Sequence, residues 1–216
     1  MFFHGLDWGG TLEAADGMAI PGTPATIRDA VRKRYSAVAR EPDGMYNFRV
    51  GRDFAEALGY PADLLDELPL SASEAFTGVA TASLLAQPAA GETVVDLGSG
   101  GGLDLSVLAR KVGPQGRVVG VDFAPDMVAR ARATLEQLGV EQAEVLEADA
   151  EHTGLPDSFA DYVVINGLVN LSPDKRAVLA EIARILRPGG RLLLAETTLQ
   201  APLAPDTLVS INDWFR

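Results

Sequence analysis

An acid and a run of glycines stand together in residues 94–102, VVDLGSGGG. Apolar Val94, Val95 and Leu97 flank Asp96, the pattern of a buried strand, and the chain then turns almost wholly to glycine. Glycines serve where a backbone must turn sharply and approach a ligand with no Cβ in the way. A helix expected from Leu103 would leave free N–H groups at its start, facing that turn. About twenty residues further on, RVVGVDF ends in Asp122, where a carboxylate can accept hydrogen bonds from ribose hydroxyls. Strand, glycine turn, helix, strand and acid make a nucleotide-binding unit. A dinucleotide fingerprint would carry a third glycine where Leu103 stands. Asp96 two residues before the first glycine instead gives D-x-G-x-G.

The elements that must hold these residues follow a βα rhythm. Strands are expected at 93–97, 117–121, 143–147 and 161–166, and a fifth at RLLLAETT after the turn Arg187-Pro188-Gly189-Gly190. The intervening helices are expected at 103–112, stopped by Gly113 and Pro114, and from Pro125 to the glycine at 139. Met127, Ala131, Leu135 and Leu138 give the second helix its buried face. Ser172-Pro173-Asp174 opens a third, with Val178, Ile182 and Ile185 facing the sheet. Such repeats build a parallel sheet with right-handed crossovers. Residues 26–90 lack that rhythm and read as a helical cap over the site. Thr26 is placed to cap a helix at 27–39, with Ile27, Val31, Tyr35 and Val38 at helical spacing. Short helices are expected at 53–58 and 62–67, and 71–85 leads into a further one. Residues 1–25, rich in Gly and Pro, read as an irregular arm, 91–200 as the α/β core and 201–216 as a tail.

Composition narrows the chemistry. The chain has 216 residues, enough for one α/β domain with additions. A net charge of -12 argues against nucleic acid as a partner, since phosphates need a basic face. Cysteine is absent, which removes disulfides, thiolate metal sites and thiol nucleophiles. The two histidines, His4 and His152, make no histidine-rich site, so no metal is expected. No apolar run approaches the roughly 20 residues of a membrane span, and the first ten residues lack a signal-peptide pattern, so a cytoplasmic protein without membrane contact is expected.

The D-x-G-x-G form resembles motif I of class I S-adenosylmethionine (SAM) methyltransferases. The resemblance implies a Rossmann-like, doubly wound, mostly parallel sheet ordered 3-2-1-4-5 with the helical cap at its N-terminal side. It implies that Gly98, Ser99, Gly100 and Gly102 surround the methionine part of SAM and that Asp96 orders the site near its ammonium. Asp122 would then take the ribose, and Phe123 and Met127 belong to the cofactor set, Phe123 lining the adenine pocket. After the third strand, ADAEHTGLP is similar to the family's D-A-E-x-L-P stretch, lengthened by Thr153 and Gly154. That likeness puts Asp149 and Ala150 at the adenine. Asn166 completes the set in NGLVNL, the edge of the acceptor pocket. Catalysis of methyl transfer can rest largely on alignment, and a base is needed only where the acceptor must lose a proton. Tyr35 and Glu196 are the candidates for that catalytic role.

Residues 31–199 more closely resemble arsenite methyltransferases, through YSAVA, GETVVDLGSGGGLD, ARKVGPQGRVVGVDFAPDM, INGLVNLSPDK and LRPGGRLLLAE. In that family, Tyr35 would belong to a helix closing over SAM. Trivalent arsenic is held there by cysteine thiolates, a soft-ligand preference. Here Thr77 and Gly167 stand at two of those positions, and an earlier pair near residues 43–45 is absent. The expectation is methyl transfer to a small organic acceptor rather than to arsenite. The alternative is an inactive SAM-binding subunit that works with another chain. The family's sixth and seventh strands have too little room after the fifth, so the C-terminal tail, or a homodimer or partner chain, is expected to cover the fifth strand's edge.

Overall fold

The computed structural model describes residues 23–198. Among the described residues five strands form one parallel sheet: β1 (Thr93–Leu97), β2 (Arg117–Asp122), β3 (Ala143–Glu147), β4 (Ala160–Asn166) and β5 (Leu186–Ala195). Its order is β3-β2-β1-β4-β5, as expected. The chain thus reverses direction across the sheet between β1 and β4. That switch point is where open α/β sheets take their ligands, beyond the carboxyl ends of the strands.

Eight helices surround the sheet among the described residues. The cap comprises α1 (Pro24–Arg40), α2 (Arg52–Leu58), α3 (Ala62–Asp66), α4 (Leu70–Ser73) and α5 (Ala82–Leu85). The crossovers carry α6 (Leu103–Val112), α7 (Pro125–Leu138) and α8 (Lys175–Ile185), with a 3₁₀ turn at Val169–Leu171. Side chains alternate across each strand, so β1 sends Val94 to the α6 and α7 side and Val95 and Leu97 to the α8 side. Asp96 shares the side of Val94. On the first face Val94, Val118 and Val164 pack on Leu105, Leu108 and Val128. On the second, Val95, Val119 and Ile165 pack on Val178, Ile182 and Ile185.

The cap differs from expectation in two places. Thr23, not Thr26, caps α1: its Oγ1 accepts from Thr26 N at 3.3 Å, and Pro24 takes the first turn, where a missing N–H costs nothing. Residues 71–85 hold two short helices, α4 and α5, because the backbone of Val79 and Ala80 between them is drawn to Asn166. The cap is joined to the core by its own apolar cluster. Tyr60, Leu65, Leu68 and Phe76 pack on Leu103 and Val107 of α6, and Val38, Ala39 and Ala75 pack on Ala124 and Met127 of α7.

The Arg187–Gly190 turn lies inside the fifth strand. Ala160 pairs with Leu186 and Tyr162 with Arg191, so residues 187–190 bulge out of the ladder. Pro188 has no N–H to donate and Gly189 sits at φ +81, which suits a bulge. No helix among the described residues is long and apolar enough to cross a membrane. Of the arm expected at 1–25, Pro24 and Ala25 belong to α1 and residues 1–22 lie outside the described residues, as does the tail expected at 201–216.

Candidate active site

The carboxyl ends of β1, β2, β3 and β4 open into one cleft. Its floor is the glycine turn. Gly98 N and Ser99 N both donate to Val121 O, at 2.8 and 3.1 Å, folding the turn back over the end of β2. Gly98 sits at φ +84, and a Cβ there would lie 2.6 Å from Leu168 Cδ1, so only glycine fits. Gly102 plays a different part. At φ +93 it starts α6, and a Cβ would meet Ala131 Cα of α7 at 3.3 Å. It therefore does the close packing that the dinucleotide pattern assigns one residue later, and it does not line the cleft.

Asp122 ends β2 and faces the cleft. Its Oδ2 accepts from Gly100 N at 3.0 Å and its Oδ1 from Ala124 N at 2.9 Å. The Phe123 N–H donates to it as well, so about three of the roughly four acceptor positions of a carboxylate are engaged and one remains for a ligand. Burial raises its pKa above the ordinary value, against the lowering effect of the N–H donors of Ala124, Gly100 and Phe123. Phe123 lines the cleft beside it, with the Arg32 guanidinium 5.4 Å from its ring centre. Asp149 and Ala150 form the wall after β3. Val31, Val121, Leu168 and Leu171 make much of the remainder apolar.

Asp96 lies beneath this floor and lines no part of the cleft. It is 1% exposed, and its Oδ2 has no hydrogen-bond partner among the described residues. Burial pushes its carboxyl well up, with Asp104 and Asp122 adding repulsion. Ser99 Oγ, above Gly120, is likewise buried without a partner. Ser99 faces a second, smaller hollow continuous with the glycine turn, lined also by Thr77, Leu103 and Asp104.

Tyr35 reaches the cleft from α1, one turn beyond Val31, and hydrogen-bonds the Thr77 side chain. Burial raises its phenol pKa, with Asp122 and Glu196 adding to the rise. A phenol so placed can donate a hydrogen bond into the cleft. Glu196 stands outside the cleft, accepting from Asn170 N and Thr197 N, each at 3.2 Å. Met127 is fully buried between α1 and α7, away from the cleft.

Asn166 lines the cleft but has nothing left to offer a ligand, contrary to its expected role. Its Oδ1 accepts from Val79 N at 2.8 Å and Ala80 N at 3.1 Å. Its Nδ2 donates to Ala80 O and Asp104 Oδ2, both at 2.8 Å. Asp104, in the first turn of α6, also accepts from the Tyr60 hydroxyl and from Ser83 N at 3.0 Å. This buried network fixes the 77–80 wall to the core. Its hydrogen-bonded partners lie 21 to 87 residues apart in sequence, so spacing gives no sign of it. Arg28, Glu151 and Ser172 also line the cleft and were not singled out. The one available signal was that Arg28 lies on the same helical stripe as Val31 and Tyr35.

The residues present fit a nucleoside-containing cation: a glycine cradle that a Cβ would fill, a carboxylate at the end of β2, and orphaned oxygens on Asp96 and Ser99. The fold and this site together define the class I methyltransferase type of domain, whose cofactor is SAM. The family model described as "Methyltransferase domain" matches residues 88–215, more than half of the chain, and the chain belongs to that family. An arsenite methyltransferase of Halobacterium salinarum is 32% identical over 197 residues, covering 85% of this chain and 50% of that protein. An aklanonic acid methyltransferase of Streptomyces sp. is 36% identical over 121 residues, covering 56% of this chain and 55% of that one. The crystal structure of an arsenic(III) SAM methyltransferase from Chlamydomonas reinhardtii matches with a TM-score of 0.51 at 32% identity, covering 66% of this chain and 48% of that chain. The chain spans about half the length of these relatives.

Proposed function

We propose that this chain transfers the methyl group of SAM to a small organic acceptor and does not methylate arsenite. The observation that carries the reading is convergence. Residues from four strand ends, Gly98 and Gly100, Asp122 and Phe123, Asp149 and Ala150, and Gly167, face one cleft that α1 closes with Val31 and Tyr35. In this reading Gly98, Ser99 and Gly100 hold the methionine part, Asp122 the ribose, and Phe123, Asp149 and Ala150 the adenine. Asp96 lies beneath the methionine end, where a bound ammonium would favour its charged form against the burial that raises its pKa. Gly102 and Met127 support the site by packing.

Held there by Gly98, Gly100 and Asp122, SAM would supply a sulfonium methyl, its bond pair returning to sulfur as the acceptor's lone pair took the methyl. The protein's part is to align the acceptor and exclude water. Thr77 and the protonated Tyr35 offer hydrogen bonds to an acceptor oxygen or nitrogen. The apolar wall of Leu168 and Leu171 suits an organic molecule. Titration calorimetry with S-adenosylhomocysteine tests the cofactor assignment. Asp122→Ala should weaken binding at least about tenfold, the worth of a charge-assisted hydrogen bond. Unchanged affinity would refute the ribose role.

The second reading, an inactive subunit, draws on one observation. Among the described residues β5 is the last strand of the sheet, and Leu192 and Leu194 on it are 42% and 43% exposed. Such an edge invites cover, by residues 199–216, a second copy or another protein. Solution mass, and methyl transfer with and without candidate partners, separate the two readings.

A further inference from the structure

We infer that Glu151 is a positioning residue that clasps α1 across the adenosine end of the cleft and so sets how long an adenosyl ligand stays bound. The inference rests on the cofactor reading above. Glu151 follows β3, and its side chain is 12% exposed. Its two carboxylate oxygens hold two different walls. Oε2 takes Arg28 Nη2 of α1, and Oε1 accepts from Ser172 Oγ, in the turn before α8, at 2.7 Å. Arg28 Nε also lies 3.4 Å from Asp149 Oδ2. All four residues line the cleft.

The two ends of α1 are held by different means. At its C-terminal end Val38 and Ala39 are packed against Ala124 and Met127, Arg40 pairs with Asp126 at 2.8 Å, and Arg130 donates to Ala39 O. At its N-terminal end Ile27 and Val31 rest on Phe48, Phe123 and Leu171, residues that stand at or near the cleft itself. Arg32 rests over the Phe123 ring and Tyr35 hydrogen-bonds Thr77, while Arg28 carries the ion pairs that tie this end of α1 to Asp149 and Glu151. A helix anchored at one end and clasped at the other can admit a ligand when the clasp opens. Val31 and Tyr35 lie on the stripe of Arg28, so opening moves both. A half-buried pair of this kind, with each oxygen hydrogen-bonded, is screened less by salt than an exposed one, yet not immune to it.

Stopped-flow binding of S-adenosylhomocysteine to the whole chain tests this. In Glu151→Gln the ligand's dissociation rate should rise about tenfold, with a smaller rise, about threefold, in Ser172→Ala. Arg28→Met should match Glu151→Gln, and the double variant should add little further, because the two residues act as one clasp. The wild-type dissociation rate should climb with salt, and that of Glu151→Gln should not. A merely structural role would lower the melting temperature and leave dissociation and its salt dependence unmoved. Dissociation rates equal to wild type in Arg28→Met and Ser172→Ala, with a salt-independent wild-type rate, would overturn the clasp while leaving the cofactor reading intact. Should Glu151→Gln not fold, Ser172→Ala and the wild-type salt series decide the matter. Absence of any wild-type binding would overturn both the clasp and the cofactor reading.

Discussion

Asp122 shows how much one side chain carries. Its carboxylate pins the glycine turn through Gly100 and starts α7 through Ala124 while facing the cleft. Its pKa is raised because burial outweighs those donors. In the proposed complex, ribose hydroxyls donate to the charged form only. Affinity is therefore full above the raised pKa and is lost as pH falls through it. The loss should set in at a higher pH than an ordinary aspartate, near 3.8, would produce. Calorimetry across roughly pH 4 to 8 should show that fall in the wild type, and Asp122→Asn should bind weakly with no such slope. The role of Asp122 was legible from its place at the end of the second strand. That of Asn166 was not. Its position is as open to the cleft, but all its polar capacity is bound by Val79, Ala80 and Asp104. Sequence places a side chain at a strand end; only packing tells whether its hydrogen bonds are already spent.

At the scale of elements, the βα half was readable nearly residue by residue. The bounds of β1, β3 and α6 are the expected ones, because glycines and prolines punctuate apolar runs of matching period. The cap was less readable. Gly59 and Pro61 hold α2 and α3 within a residue of their expected bounds, whereas α4 and α5 are four-residue turns with no side-chain caps, packed on the core. The loop after β3 belongs to the same class, since α8 holds it. Glu181 Oε1 accepts from Thr153 N at 2.7 Å and Thr153 Oγ1 at 2.5 Å, and Arg184 pairs with both Glu181 and Asp157. The Arg184 hydrogen bond is the largest cause holding the Glu181 pKa down to about 2, from 4.5. A depressed folded pKa means stabilisation present above the unfolded value and lost as pH falls toward the folded one. Melting curves should thus show the wild type losing at most about 3 kcal/mol more than Glu181→Gln on acidification through that window. Equal losses would mean that the Glu181 pair does not hold the loop.

For the molecule as a whole, the decisive fact is what a familiar scaffold leaves out. Two of the relatives are named for methylating arsenic, yet this chain has no cysteine. Geometry agrees with composition at one of the replaced positions. Gly167 sits at φ +78, and a Cβ there would lie 3.2 Å from Val79 Cγ1. A cysteine would be both strained and crowded, so Gly167→Cys should cost about 1–2 kcal/mol of stability. Thr77 is less constrained, but its hydroxyl is engaged with Tyr35. Hydroxyl oxygens are hard donors and poor ligands for a soft centre. An assay with arsenite, excess thiol and labelled SAM should give no turnover above the control without protein. Thr77→Cys alone should not restore it, since one thiolate cannot reproduce a multi-thiolate site. Thr77→Cys with Gly167→Cys should be less stable and still inactive on arsenite. Turnover by the unaltered chain would show that thiolates from these 216 residues are not needed, and the organic-acceptor reading would lose its main support.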